Sequence, residues 1–169
     1  LWKKLAPGQV ESMFGGMLIA DRMGMFLVMV FCGGAALTAL ISPPHQAEHD
    51  WENGEYYGLL LLATAGMAMM AMAGDLVTVF LGLETMSIAV YVLCAGRRKS
   101  RRSTEAAMKY FLMGAFATGF LLYGIALLYG ATGTTDLALI GRGLADAEHQ
   151  PIAVIGAFML IVAFGFKVA

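Results

Sequence analysis

The chain is short of charge. Of its 169 residues only 14% are Asp, Glu, Lys or Arg, where a soluble domain carries about 25%. So few charged groups cannot cover a water-facing surface. Eleven cations against 12 acids leave a net charge of −1, which excludes an electrostatic nucleic-acid binder. Cysteine is scarce as well. Cys32 and Cys94 lie far apart within apolar runs and support neither a disulfide framework nor a zinc site. There is no P-loop, dinucleotide fingerprint or nucleophile triad, and no sustained period-two alternation of the kind barrel strands need. The chain opens on Leu1 and closes on Lys167-Val168-Ala169 without a polar tail. It is therefore expected to be a piece of a longer protein, and a missing signal peptide carries no weight.

What the chain does have is apolar helix material: 59% hydrophobic residues, 21 glycines and 13 methionines. Residues 23–44, 56–74, 110–135 and 150–166 contain no charge, and residues 76–96 contain only Glu84. A helix needs about 20 apolar residues to cross about 30 Å of hydrocarbon, and backbone in lipid must be satisfied internally. The sequence thus predicts an all-α, polytopic transmembrane bundle of about five helices in a single domain. The spans fall near 23–42, 57–74, 76–95, 104–129 and 151–169, the last cut short. Residues 1–22 are expected to form a loop leading to an interfacial helix.

The connections orient the bundle. Residues 95–103 read AGRRKSRRS, with five cations between spans three and four, so this loop faces the cytoplasm or the matrix under the positive-inside rule. The Gly74-Asp75 turn and the loop 130–151 then lie on the far side. Trp51, Tyr56, Tyr57, Tyr110 and Tyr129 fall near span ends, where amphipathic rings settle. In span four, Gly114, Ala117 and Gly124 lie within about 80° of one another at 100° per residue, a small-residue stripe for close packing. Lys109 projects near that stripe and is expected to face protein rather than lipid.

Three ionisable residues carry the candidate chemistry. Glu84 is the ninth residue of span three, near mid-bilayer, where a charge costs about 2.5 kcal/mol or more unless it is paired, protonated or turned inward. Ser87 and Tyr91, at i+3 and i+7, share its face. Proton or ion handling is weighed here against a protonated glutamate that merely ties helices together. Lys167 follows the apolar run 152–166 and is either deep in the membrane or an interfacial, snorkelling anchor. A buried Lys–Glu pair can exchange protons when its members move apart. Lys109, about two turns into a helix starting near Arg102 with Ser103 or Thr104 as cap, is either a snorkelling lysine or a relay reached from the cytoplasm.

Weaker signals are read conservatively. His45-Gln46-Ala47-Glu48-His49 matches H-x-x-E-H, but Pro43-Pro44 and Gly54 bracket it as a short polar loop, where two histidines do not share a helix face. The basic loop is a topology determinant before it is a lipid headgroup site. The four methionines of residues 67–72 are packing residues before they are a metal path.

Two stretches carry a family resemblance. They are Gly82-Leu-Glu84-Thr-Met-Ser87-Ile-Ala-Val-Tyr91-Val-Leu93 and, after the basic loop, Ser103-Thr-Glu105-Ala-Ala-Met-Lys109-Tyr-Phe-Leu-Met-Gly114, continuing through residues 115–133. Together they resemble subunit N of NADH–quinone oxidoreductase, respiratory complex I, among its antiporter-like membrane subunits. The match is specific through residues 76–139 and looser from about 21 to 169, where Gly165-Phe166-Lys167 looks like the start of the family's broken central helix. The resemblance implies a stretch covering roughly the third to seventh helices of a fourteen-helix subunit. It implies pairing of Glu84 with Lys167 and a link from Lys109 to the cytoplasmic half-channel. It also implies a cytoplasmic 97–102 loop, in agreement with the charge rule. The family usually has a proline where this chain reads Ser87-Ile-Ala-Val-Tyr91.

The expected function is therefore proton translocation through Glu84, Lys109 and Lys167, driven by electron transfer from NADH to quinone. No cofactor is expected in this chain; NADH, FMN, iron–sulfur clusters and quinone belong elsewhere in the complex. The expected partners are other membrane subunits of complex I and the lipid bilayer, with no nucleic acid. The expected site is the plasma membrane of a bacterium rather than a mitochondrial inner membrane. An Mrp-type sodium/proton antiporter subunit is the alternative, and a passive membrane scaffold the third reading.

Overall fold

The computed structural model of the chain describes residues 10–48, 54–97, 99–144 and 150–168. Among the described residues, six α-helices follow a small hairpin: α1 Arg22–Glu48, α2 Gly54–Ala71, α3 Leu76–Cys94, α4 Arg101–Thr132, α5 Leu137–Gly143 and α6 Gln150–Val168. Arg22–Pro44 of α1, with α3, α4 and α6, are long and apolar enough to cross a membrane. At 18 residues α2 is nearly as long, but its first turn carries Glu55, Tyr56 and Tyr57. The all-α bundle expected from the charge-free runs is the fold observed. Its outer faces are apolar, with Phe26, Leu40, Leu112, Phe116, Phe158 and Ile161 all exposed on the isolated chain.

Local chemistry sets the helix ends. Asp75 caps α3 by accepting the Thr78 N–H at 2.6 Å, and Asp136 caps α5 through the Leu139 N–H at 2.8 Å. Gly133 closes α4 in the left-handed region, at φ 69°, and donates to the Tyr129 carbonyl at 2.7 Å, a conformation glycine adopts without steric penalty. The cap of α4 is Ser100, not Ser103 or Thr104 as expected. An extended Ser100 before five polar residues lets the helix begin while still outside the apolar region, so Glu105 falls beyond its first turn.

Two expectations are corrected. Residues 10–21 form no interfacial helix. Glu11–Met13 (β1) and Leu18–Ala20 (β2) pair antiparallel, Glu11 opposite Ala20 and Met13 opposite Leu18. Gly15 and Gly16, both at positive φ, reverse the chain between them. Residues 45–48 are also not a loop, because α1 continues through Pro43 and Pro44 to Glu48. The two prolines withdraw donors only from the carbonyls of Ala39 and Leu40, near the helix end. His49 and Trp51 lie outside the described residues, as do residues 1–9, Arg98 and His149.

Glycines bring the helices together in two close pairs. A Cβ on Gly66 of α2 would meet the Gly82 carbonyl of α3 at 2.6 Å, and one on Gly82 would meet the Gly66 carbonyl at 2.8 Å. Gly124 of α4 and Gly156 of α6 face each other likewise, at 2.9 and 3.1 Å. Without a hydrophobic drive between helices in lipid, such backbone approach is how they gain contact. Leu83 of α3, Leu121, Ile125 and Leu128 of α4, and Ala153 and Ala163 of α6 fill the interior. At the far-side end β2 bonds to the α2–α3 turn (Ile19 N–H to Met72 O, 2.7 Å), and that turn bonds to the start of α5 (Leu137 N–H to Gly74 O, 3.1 Å). Helices α3, α4 and α6 share one interior.

Candidate functional site

Glu84 lies midway along α3, which runs unbroken from Leu76 to Cys94. Without the proline usual in the related family, every backbone donor of this stretch remains available to the helix. Glu84, Ser87 and Tyr91 accordingly share one face, separated by one and two turns. That face meets the last turn of α6, and Lys167 enters it. Its Nζ lies 3.3 Å from Glu84 Oε1, 2.9 Å from Ser87 Oγ and 3.1 Å from Tyr91 Oη. In the structure Lys167 points into the helix bundle. The side chains of Lys167 and Glu84 are 12% and 19% exposed, and Ser87 and Tyr91 are buried.

The geometry matches an ammonium group. Three N–H donors meet three oxygens, one of them anionic, so the charged form of Lys167 is fully hydrogen-bonded. The Tyr91 ring is itself held edge-on by Tyr110 at 4.8 Å and Phe111 at 5.9 Å. Both hydroxyls can reverse. If Lys167 gives up a proton, Ser87 or Tyr91 can donate into the amine lone pair, so the same cage serves both charge states.

The sequence did not point to Thr118 of α4. Its hydroxyl lies 2.7 Å from Glu84 Oε1 and 2.9 Å from the Gly114 carbonyl one turn earlier. A threonine in an apolar helix is ordinarily back-bonded to its own backbone, and only the tertiary structure brings this one to the glutamate. Gly114 belongs to the site too. A side chain there would strike the Tyr91 phenol. The small-residue stripe of Gly114, Ala117 and Gly124 is buried as expected, but part of it receives a tyrosine instead of a helix backbone.

Lys109 is not brought to this cluster. It pairs with Glu105 one turn before it at 2.5 Å, and the two side chains are 70% and 60% exposed on the described chain. At 100° per residue it stands about 60–140° round α4 from the three stripe residues, toward the open side. Its neighbour Tyr110 is what touches the cage, through Tyr91. Of the methionine run, Met70 packs on the interior cluster, in keeping with a packing role.

Comparison with known proteins adds an independent line. A family model described as the transmembrane region of NADH:quinone oxidoreductase and Mrp antiporters matches residues 73–169. NADH-quinone oxidoreductase subunit N 1 of Sorangium cellulosum is 50% identical over 157 residues, covering 90% of this chain and 31% of that protein. Subunit N of Trichlorobacter lovleyi is 44% identical over 164 residues, covering 96% and 34%. Among solved structures, respiratory complex I from Thermus thermophilus with bound aureothin contains a chain 30% identical with a TM-score of 0.74, covering 95% of this chain and 33% of that one. The chain spans about a third of the length of the curated relatives it matches.

Proposed function

As the chain belongs to the NADH:quinone oxidoreductase/Mrp antiporter transmembrane family, we propose that it works within a multi-pass, proton-translocating subunit of NADH–quinone oxidoreductase. The observation that carries this reading is the Lys167 cage: an ammonium inside an apolar bundle, with Glu84 as its counter-ion. Glu84 supplies the counter-charge that an ammonium needs in a poorly solvated site, and a proton can be passed on through the pair and its two hydroxyl partners.

In this reading redox chemistry in other subunits supplies the work, with NADH, FMN, iron–sulfur clusters and quinone held there. The enzyme activity is that of the whole translocase. Other membrane subunits of the complex and the lipid bilayer are the partners, and a bacterial plasma membrane is the location, in keeping with the bacterial relatives. Lys109 is proposed as the proton link toward the side of the basic loop.

The test is Glu84→Gln in the intact complex, with NADH oxidation and proton pumping measured together in sealed membrane vesicles. Loss of pumping in assembled complex is expected, and undiminished pumping would overturn the proposal. The family description also covers Mrp antiporters, but the relatives named above are subunit N proteins. NADH-linked pumping that survives Glu84→Gln while sodium efflux fails would move the chain to the antiporter class.

A further inference from the structure

The Thr118 hydroxyl has one hydrogen and two acceptors. Glu84 Oε1 lies 2.7 Å away on α3 and the Gly114 carbonyl 2.9 Å away on α4. It cannot donate fully to both. With Glu84 ionised, the carboxylate is the stronger acceptor and takes the hydrogen, while Gly114 O keeps the helical bond it receives from the Thr118 N–H. With Glu84 protonated, the carboxyl can itself donate to Thr118 Oγ1, and the hydroxyl hydrogen turns to Gly114 O, the usual back-bond of a helical threonine. Each state is fully bonded, and a rotation about one C–O bond connects them.

We propose that Thr118 is a positioning residue for Glu84, a single-hydrogen rotor that follows the protonation of the carboxyl and holds it on the α4 side of the Lys167 cage. The inference rests on the reading of Glu84 and Lys167 as proton-handling groups. Thr118 bonds the same oxygen that Lys167 approaches at 3.3 Å, so the carboxylate keeps one partner when the lysine withdraws. Gly114 links the rotor to the cage, because Tyr91 Oη lies against it and also bonds Lys167. Among the described residues, the charged or titratable groups around Glu84 are few. α6 contributes Lys167, α3 contributes Tyr91, and α4 contributes Tyr110 behind Tyr91. Those of α2, Glu55, Tyr56 and Tyr57, belong to its first turn, more than two turns before the Gly66–Gly82 contact.

Thr118→Val keeps the shape and removes the hydroxyl; Thr118→Ser keeps the hydroxyl. Pumping per NADH oxidised is measured from pH 5.5 to pH 9 in vesicles carrying the intact complex. Loss of the hydroxyl removes the partner that holds the carboxyl on the α4 side, so the Thr118→Val profile is expected to depart from the parent's. Thr118→Ser is expected to keep the parent profile. If the valine variant does not assemble, Thr118→Ala is read in its place. An unmoved profile in the variant lacking the hydroxyl, or one that serine fails to restore, overturns the rotor. Glu84→Gln in the same vesicles separates the two levels. Pumping lost there with an unmoved Thr118→Val profile overturns this inference alone, and pumping retained overturns both.

Discussion

Tyr91 and Gly114 are complementary surfaces: the phenolic oxygen of one fills the space that any side chain at the other would need. The same oxygen accepts from Lys167 Nζ at 3.1 Å, so a packing contact between α3 and α4 also sets the position of a cage ligand. Gly114→Ala should therefore push the phenol off its place and destabilise the bundle by about 1–3 kcal/mol, the usual range for overpacking. Tyr91→Phe removes the nearest colliding atom, leaving Cζ at 2.6 Å, together with one bond to Lys167. The double variant should be more stable than Gly114→Ala alone, with a coupling measurable in a double-mutant cycle of thermal stability in detergent. Additive effects would show that the two residues do not meet.

The glycine pairs give a second prediction, one of rank. A Cβ at Gly66 would meet backbone of α3 at 2.6 Å, and one at Gly156 would meet backbone of α4 at 3.1 Å. The first requires a backbone to move and the second only a shift of a few tenths of an ångström. Gly66→Ala is expected to lower the yield of assembled protein clearly more than Gly156→Ala. Quantitative blotting of membranes after extraction in mild detergent would rank them.

How much of this was legible in the residues depended on range. The charge-free runs gave the helices, because a 30 Å apolar layer leaves few other solutions. Glu84, Ser87 and Tyr91 could be grouped because they lie on one helix at helical spacing. Spacing alone could not place Lys167, since 83 residues separate it from Glu84 and the end of an apolar run is compatible with burial or with snorkelling; its pairing with Glu84 came only from the family resemblance. Thr118 gave no signal for the same reason: its partner is across a helix interface. The hairpin was missed because strands of three residues are too short to show alternation, and its turn depends on glycine conformations that only the backbone reveals.

The Lys167–Glu84 pair yields a prediction on stability as distinct from transport. Removing one member of a largely buried ion pair leaves the other uncompensated, at about 3 kcal/mol or more. Glu84→Ala and Lys167→Ala are each expected to lower thermal stability in detergent. Glu84→Gln with Lys167→Gln removes both charges and should recover most of that loss, because neutral amides can bond to Ser87, Tyr91 and Thr118. Transport should remain absent in the double variant. A pair that acted only as a structural tie would instead regain function along with stability.

Lys109 separates ion-pair geometry from ion-pair worth. Its 2.5 Å contact with Glu105 is shorter than the 3.3 Å contact of Lys167 with Glu84, yet both partners are more than half exposed. An i,i+4 pair in that setting contributes only about 0.3–0.5 kcal/mol. Glu105→Gln should thus leave stability and pumping close to the parent. Lys109→Ala should leave assembly intact as well, but if this lysine passes protons toward Glu84 and Lys167, pumping falls at least several-fold. Since Tyr110 beside it abuts Tyr91, the variant should be checked by cross-linking or proteolysis for an undisturbed α3–α4 contact. Normal pumping in an intact, assembled Lys109→Ala complex would remove Lys109 from the proton path and leave the Lys167 cage as the site in this chain.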